Sequence, residues 1–140
     1  MIVAGIDFGN RRIGLAISNP DQLSAYPVET IERCRSLAAD LATLCARLTA
    51  LEVRRIVVGL PLNMDGTVGP QARAAQLFAR RLEEATGIPV ELCDERLSSF
   101  EAEERLKGIP VRRKRRKLAI DAVAASVILE TWLRSQKPRL

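Results

Sequence analysis

The sequence predicts an α/β domain: one mixed five-stranded sheet with helices on both faces. Three observations predict it. Strand-like runs open the chain with short links between them, which calls for antiparallel pairing. Two later apolar runs are separated by amphipathic helices, which calls for parallel pairing through right-handed crossovers. A length of 140 residues, 47% of them hydrophobic, gives one domain, 1–140, with a substantial core.

Residues 2–8 and 13–18 read as two strands joined by a tight link through Gly9 and Asn10, hence an antiparallel hairpin. Residues 27–32 alternate weakly and make a third strand. An amphipathic helix follows from Ser36 to Glu52, its stripe formed by Leu37, Leu41, Leu44, Leu48 and Leu51. Residues 55–60 form a dense β-branched run, as expected of a strand buried on both faces. A loop at 61–69 contains an Asp65-Gly66 turn. The next helix spans Pro70 to Ala85 and is closed by Gly87 and Pro89. Residues 90–94 make the fifth strand. Ser98 and Glu101 have capping-box spacing and open a short helix that ends near Gly108 and Pro110. A basic loop at 112–117 and a last helix over 118–134 complete the chain. There is no internal repeat and no interdomain linker.

The chain has no histidine. That excludes Ser-His and Cys-His nucleophiles, the usual zinc triads and imidazole acid–base chemistry. Cys34, Cys45 and Cys93 lack metal or redox spacing and read as small buried apolar residues in a reducing cytoplasm. No signal peptide and no run of transmembrane length is visible, so a soluble cytoplasmic protein without membrane contact is expected. The net charge of +5 is local: residues 112–117 are six cations without an acid, and the remainder is close to neutral. Such a run is either a solvated loop or an arm for phosphate backbones. Its place just before Asp121 favours the arm.

Asp121 is the residue that makes this placement matter. In the last helix Asp121, Ala124, Ala125 and Ile128 fall on one face, which should turn to the core. A carboxylate there must be neutralised, paired or bound to a metal. Asp7 sits inside the first apolar strand, and Asp94 and Glu95 close the last one. Three separated acidic positions at the ends of core elements imply one convergent site, suited to a hard cation such as Mg²⁺ or Mn²⁺. Side chains of adjacent strand residues point to opposite faces, so only one of Asp94 and Glu95 reaches it. Gly9 and Gly14 leave room for the turn and for a substrate. Arg11 and Arg12 in that turn either contact phosphate or solubilise the hairpin. Arg96 either pairs with an acid or touches substrate, and Asn63 to Gly66 form either a substrate loop or a plain turn.

Four strings in this order resemble the YqgF/RuvX family of the RNase H-like superfamily: DFGNRRIGLA from Asp7, GLPLNMDG from Gly59, DERLS from Asp94 and DAVAASVIL from Asp121. The resemblance spans nearly the whole chain. It implies an RNase H-like sheet of order 3-2-1-4-5 and a metal-dependent nuclease that matures the 5′ end of pre-16S ribosomal RNA. A second implied activity is that of a RuvC-like Holliday junction resolvase acting on branched DNA. By analogy with the superfamily, Asp7, Glu95 and Asp121 are the catalytic metal ligands, with Asp94 as fallback. The expected partner is nucleic acid, an RNA precursor or branched DNA, contacted through Arg11, Arg12, Arg96, Arg112, Arg113, Lys114, Arg115, Arg116 and Lys117. A junction resolvase would act as a homodimer. The expected chemistry is two-metal phosphodiester hydrolysis.

Three other readings compete. An actin-like ATPase domain shares the opening Asp-x-Gly hairpin but needs a second such domain. A dinucleotide module needs Gly spacing that Gly5, Gly9 and Gly14 do not have. A non-catalytic nucleic-acid-binding module would bind without metal and would not cleave.

Overall fold

The computed structural model describes the backbone of residues 1–95, 98–108 and 113–136, and side chains within these except at 98–101 and 113–118. The described residues form, in order, β1 (Ile2–Phe8), β2 (Arg12–Ser18), β3 (Ala25–Glu32), α1 (Leu37–Ala50), β4 (Val53–Leu60), α2 (Pro70–Thr86), β5 (Val90–Asp94), α3 (Ser98–Leu106) and α4 (Arg113–Ser135). The strands form one sheet of order β3-β2-β1-β4-β5. β1–β2 and β2–β3 pair antiparallel, while β1–β4 and β4–β5 pair parallel. The mixed sheet and its order are those expected from the sequence.

Strand alternation gives the sheet two apolar faces. Ile6, Ile13, Leu15, Ile56 and Val58 project to one side, where Leu44 and Leu48 of α1 and Phe78 and Leu82 of α2 cover them. Val3, Ala16 and Val57 project to the other, covered by Ala125, Ile128, Leu129, Trp132 and Leu133 of α4. Burying each large apolar side chain contributes about 1.5–3 kcal/mol. The helix ends follow local chemistry. Ser36 caps α1 by accepting from the Ala39 N–H at 3.1 Å. Pro70 opens α2, and Gly87, in the left-handed region at φ 70°, closes it. Pro27 is tolerated because β3 is an edge strand with a register irregularity opposite it.

Two boundaries move modestly: β3 and β4 each begin two residues earlier than the pattern predicts, because Ala25 pairs with Ser18 and Val53 with Ile2. A larger difference concerns the basic run. It was expected as a loop, but α4 starts at Arg113, so five of its six cations stand on the same helix as Asp121. Lys and Arg are good helix formers and no glycine or proline separates them from the apolar stretch, so the helix extends back through them. The Ser98–Glu101 capping box lies outside the described side chains. The cysteines also depart from expectation: Cys34 is exposed and Cys45 and Cys93 are half-buried. Among the described residues no helix is long and apolar enough to cross a membrane.

Candidate active site

Asp7 is the next-to-last residue of β1, on the parity of Val3 and Gly5, and so faces α4. Glu95 follows β5 directly. Its N–H donates to the Leu60 carbonyl at 3.1 Å, which extends the ladder by one step. It shares parity with Cys93, which packs against the α4 side, and therefore turns the same way as Asp7. Asp94 has the opposite parity and is exposed.

Glycine sets how closely these parts meet. A Cβ on Gly59 would come within 2.6 Å of Glu95 Cγ and of Ile128 Cδ1. A Cβ on Gly14 would collide with the Asp121 carbonyl oxygen. Because Gly14 pairs with Asp7 across β1–β2, the helix backbone at Asp121 rests on β2 directly beside Asp7.

The result is an open cleft of about 520 Å³ whose wall includes Asp7, Glu95 and Asp121, but not Asp94. Burial pushes the Asp7 carboxyl up to about 7, and the nearby charges of Glu95 and Asp121 push it the same way. The Cys93 thiol is also raised, first by burial and then by Asp94, Glu95 and Glu91. This end of the sheet is a region of concentrated negative potential.

An all-oxygen donor set of this kind suits a hard divalent cation, and the mutual repulsion registered at Asp7 is what such an ion relieves. Among the described residues no three donors stand drawn together around one point. Asp121 is instead held by the Arg12 guanidinium, Nε to Oδ2. The chemistry of the donors fits the ion, and closing them on it requires side-chain movement.

Arg12, expected in the turn, is thus the first residue of β2 and is ion-paired, while Arg11 is exposed. Arg96 and Arg112 lie outside the described residues, as do the side chains of Arg113, Lys114, Arg115, Arg116 and Lys117. In the 61–69 loop the two alternatives divide the work. Asp65 and Gly66 build the turn: Asp65 Oδ1 accepts from the Thr67 N–H at 2.9 Å and from its hydroxyl at 2.6 Å, and the Gly66 N–H reaches the Asn63 carbonyl at 2.8 Å. Asn63 and Met64 line the cleft.

Sequence reasoning missed Arg33 and Asp40. Arg33 lines the cleft, lies 4.4 Å from the centroid of the Phe8 ring, and donates to the Gly9 carbonyl at 3.2 Å. Its Nε reaches Asp40 Oδ2 at 3.0 Å. Asp40, 1% exposed, also accepts from the Cys34 N–H at 2.7 Å. The pair ties the start of α1 to the turn that follows Asp7. An acid among the apolar residues of α1 was the available signal, but its first-turn position reads equally well as a helix-dipole partner.

Residues 1–135 match the RuvX family, described as Holliday junction resolvase. A protein of Anaeromyxobacter dehalogenans named "Putative pre-16S rRNA nuclease" is 51% identical over 138 residues, covering 99% of this chain and 100% of that one. A Myxococcus xanthus protein of the same name is 45% identical over 138 residues, covering 99% and 91%. Among solved structures, Thermus thermophilus RuvC in complex with a Holliday junction superposes with a TM-score of 0.61 at 17% identity, covering 97% of this chain and 96% of that one. At that identity the likeness supports the RNase H-like fold alone. By its match over nearly the full length, the chain belongs to the RuvX family of Holliday junction resolvases, nucleases that hydrolyse phosphodiester bonds.

Proposed function

We propose that the chain is a single-domain, metal-dependent nuclease of the cytoplasm that acts in maturation of the 5′ end of pre-16S ribosomal RNA. The observation that carries the metal site is the convergence of Asp7, Glu95 and Asp121 on one cleft wall, with Asp7 raised by burial and by the other two acids. The relatives' names support the substrate. In this reading Asp7, Glu95 and Asp121 would hold Mg²⁺ or Mn²⁺, and the chemistry such an ion would supply is activation of water and stabilisation of the leaving oxygen. The chain's own contribution is positional. Asp7 is fixed by a central strand, Glu95 by the β4–β5 ladder, and Asp121 by the α4 backbone lying on Gly14. No covalent enzyme intermediate is needed. Cations of the 112–117 run and Arg11 would neutralise phosphates and hold the strand.

The family's description favours a second reading, cleavage of a four-way DNA junction. That activity requires two sites related by a two-fold axis, hence a homodimer. The discriminating experiment is cleavage by the purified chain, with Mg²⁺ or Mn²⁺, of a ribosomal RNA precursor beside a four-way junction. Cutting of the precursor at its 5′ end by a monomer supports the first reading. Symmetric nicking of the junction by a dimer, with the precursor intact, replaces it by the second.

A further inference from the structure

We infer that Arg12 is a resident counter-ion of Asp121 that competes with the divalent cation for that carboxylate. The inference rests on the metal site proposed above and specifies what this chain adds to it. Arg12 Nε donates to Asp121 Oδ2, with the two side chains 32% and 20% exposed. The pair is therefore neither a solvated surface contact nor a sealed structural one.

Its geometry is built into the sheet. Alternation along β2 places Arg12, Gly14 and Ala16 on the face covered by α4, and Ala16 packs in that interface. Gly14 lets the Asp121 backbone settle on β2, and Asp7 is the residue opposite Gly14. The guanidinium therefore meets the acid cluster from the β2 side. Arg33, which lines the cleft, is committed elsewhere, to Asp40 and the Gly9 carbonyl.

The chemistry follows from charge and lone pairs. A divalent ion bonds carboxylate oxygen directly, and a guanidinium hydrogen-bonds the same carboxylate. Both on one carboxylate would set like charges side by side. A bound cation would therefore work against the Arg12–Asp121 pair, and the strength of the pair sets how much cation the site needs. Once released, Arg12 stays at the start of β2 with its donors available to a phosphate.

The test is Mn²⁺ binding by the purified full chain, followed by calorimetry. Arg12→Gln should bind Mn²⁺ about two- to fivefold more tightly than the wild type, the range expected for loss of a partly exposed competing ion pair. Arg11→Gln removes the same charge from an exposed neighbour without breaking the pair, and should change affinity less than twofold. In an Asp121→Asn background, Arg12→Gln should bring no further gain. Equal or weaker binding by Arg12→Gln, or an equal gain in Arg11→Gln, overturns the inference while the metal site stands. Absence of Mn²⁺ binding in both the wild type and Arg12→Gln overturns the metal site, and the inference with it. A measurement on the unmodified chain covers the case in which Arg12→Gln does not fold. Mg²⁺ titration should shift the nitrogen-15 Nε resonance of Arg12, and a resonance indifferent to saturating Mg²⁺ overturns the competition.

Discussion

Asp7 combines two opposing demands in one side chain. Its place at the end of a buried strand makes it rigid, and the same burial makes its charge costly. With the carboxyl pushed up to about 7 from an ordinary value of 3.8, the folded chain holds a proton through a pH range in which the unfolded chain has released it. Stability therefore falls as pH rises from about 4 to about 7, and this contribution is gone above the folded value. Asp7→Asn cannot titrate. Without divalent ions it should flatten that slope and be more stable than the wild type at pH 8, by up to about 4 kcal/mol. Urea unfolding at pH 5 and pH 8 in a chelator measures this; parallel pH profiles for the two proteins would show that Asp7 carries no such strain. The choice between Asp94 and Glu95 is also made at this scale. Glu95→Gln should lose metal-dependent cleavage by at least about a hundredfold, and Asp94→Asn should stay within about threefold of the wild type, because Asp94 is absent from the cleft wall. Rates with the two variants reversed would exchange the assignment.

At the scale of elements, α4 positions the site and β2 positions α4. Gly14→Ala would put a methyl group into the Asp121 carbonyl, a clash with backbone that no rotamer change relieves. It should cost about 3 kcal/mol, the upper end of the usual range for overpacking, and weaken Mn²⁺ binding because Asp121 moves with the helix. A variant with unchanged melting temperature and metal affinity would show that the contact is slack. The basic start of α4 is the second case. Cations in a first helical turn oppose the helix dipole, and at i, i+4 they repel one another. A phosphate strand relieves both penalties. Replacing Arg112, Arg113, Arg115 and Arg116 by Gln should weaken strand binding at low salt and reduce the slope of log affinity against log salt by up to about three. An unchanged slope would make the run a solvated helix end.

For the molecule as a whole, much was legible in the sequence because a period of two and a period of 3.6 differ clearly where the segments are apolar. The hairpin, the two crossovers and the core faces of α1, α2 and α4 follow from that pattern, and Asp7 and Asp121 stand out as acids within it. The sheet order and the preference for Glu95 came instead from resemblance of the motifs to a known family. Three features escaped the pattern for physical reasons. Lysine and arginine stretches fit a loop or a helix equally, so the start of α4 was misplaced. Arg12 is a surface-like residue whose partner, Asp121, lies 109 residues along the chain, and Arg33 pairs with Asp40 seven residues on, across a bend that periodicity does not register. The service of Gly14 as a seat for α4 depends on a neighbour that sequence spacing does not reveal. Everything proposed for this molecule depends on the carboxylates of the cleft holding the metal that cuts the strand. Asp7→Asn tests it most directly, through cleavage of a labelled ribosomal RNA precursor by purified wild type and variant in Mn²⁺. The variant's rate should fall by at least about a thousandfold, with the fold and strand binding retained. Cleavage by the variant at the wild-type rate would contradict it.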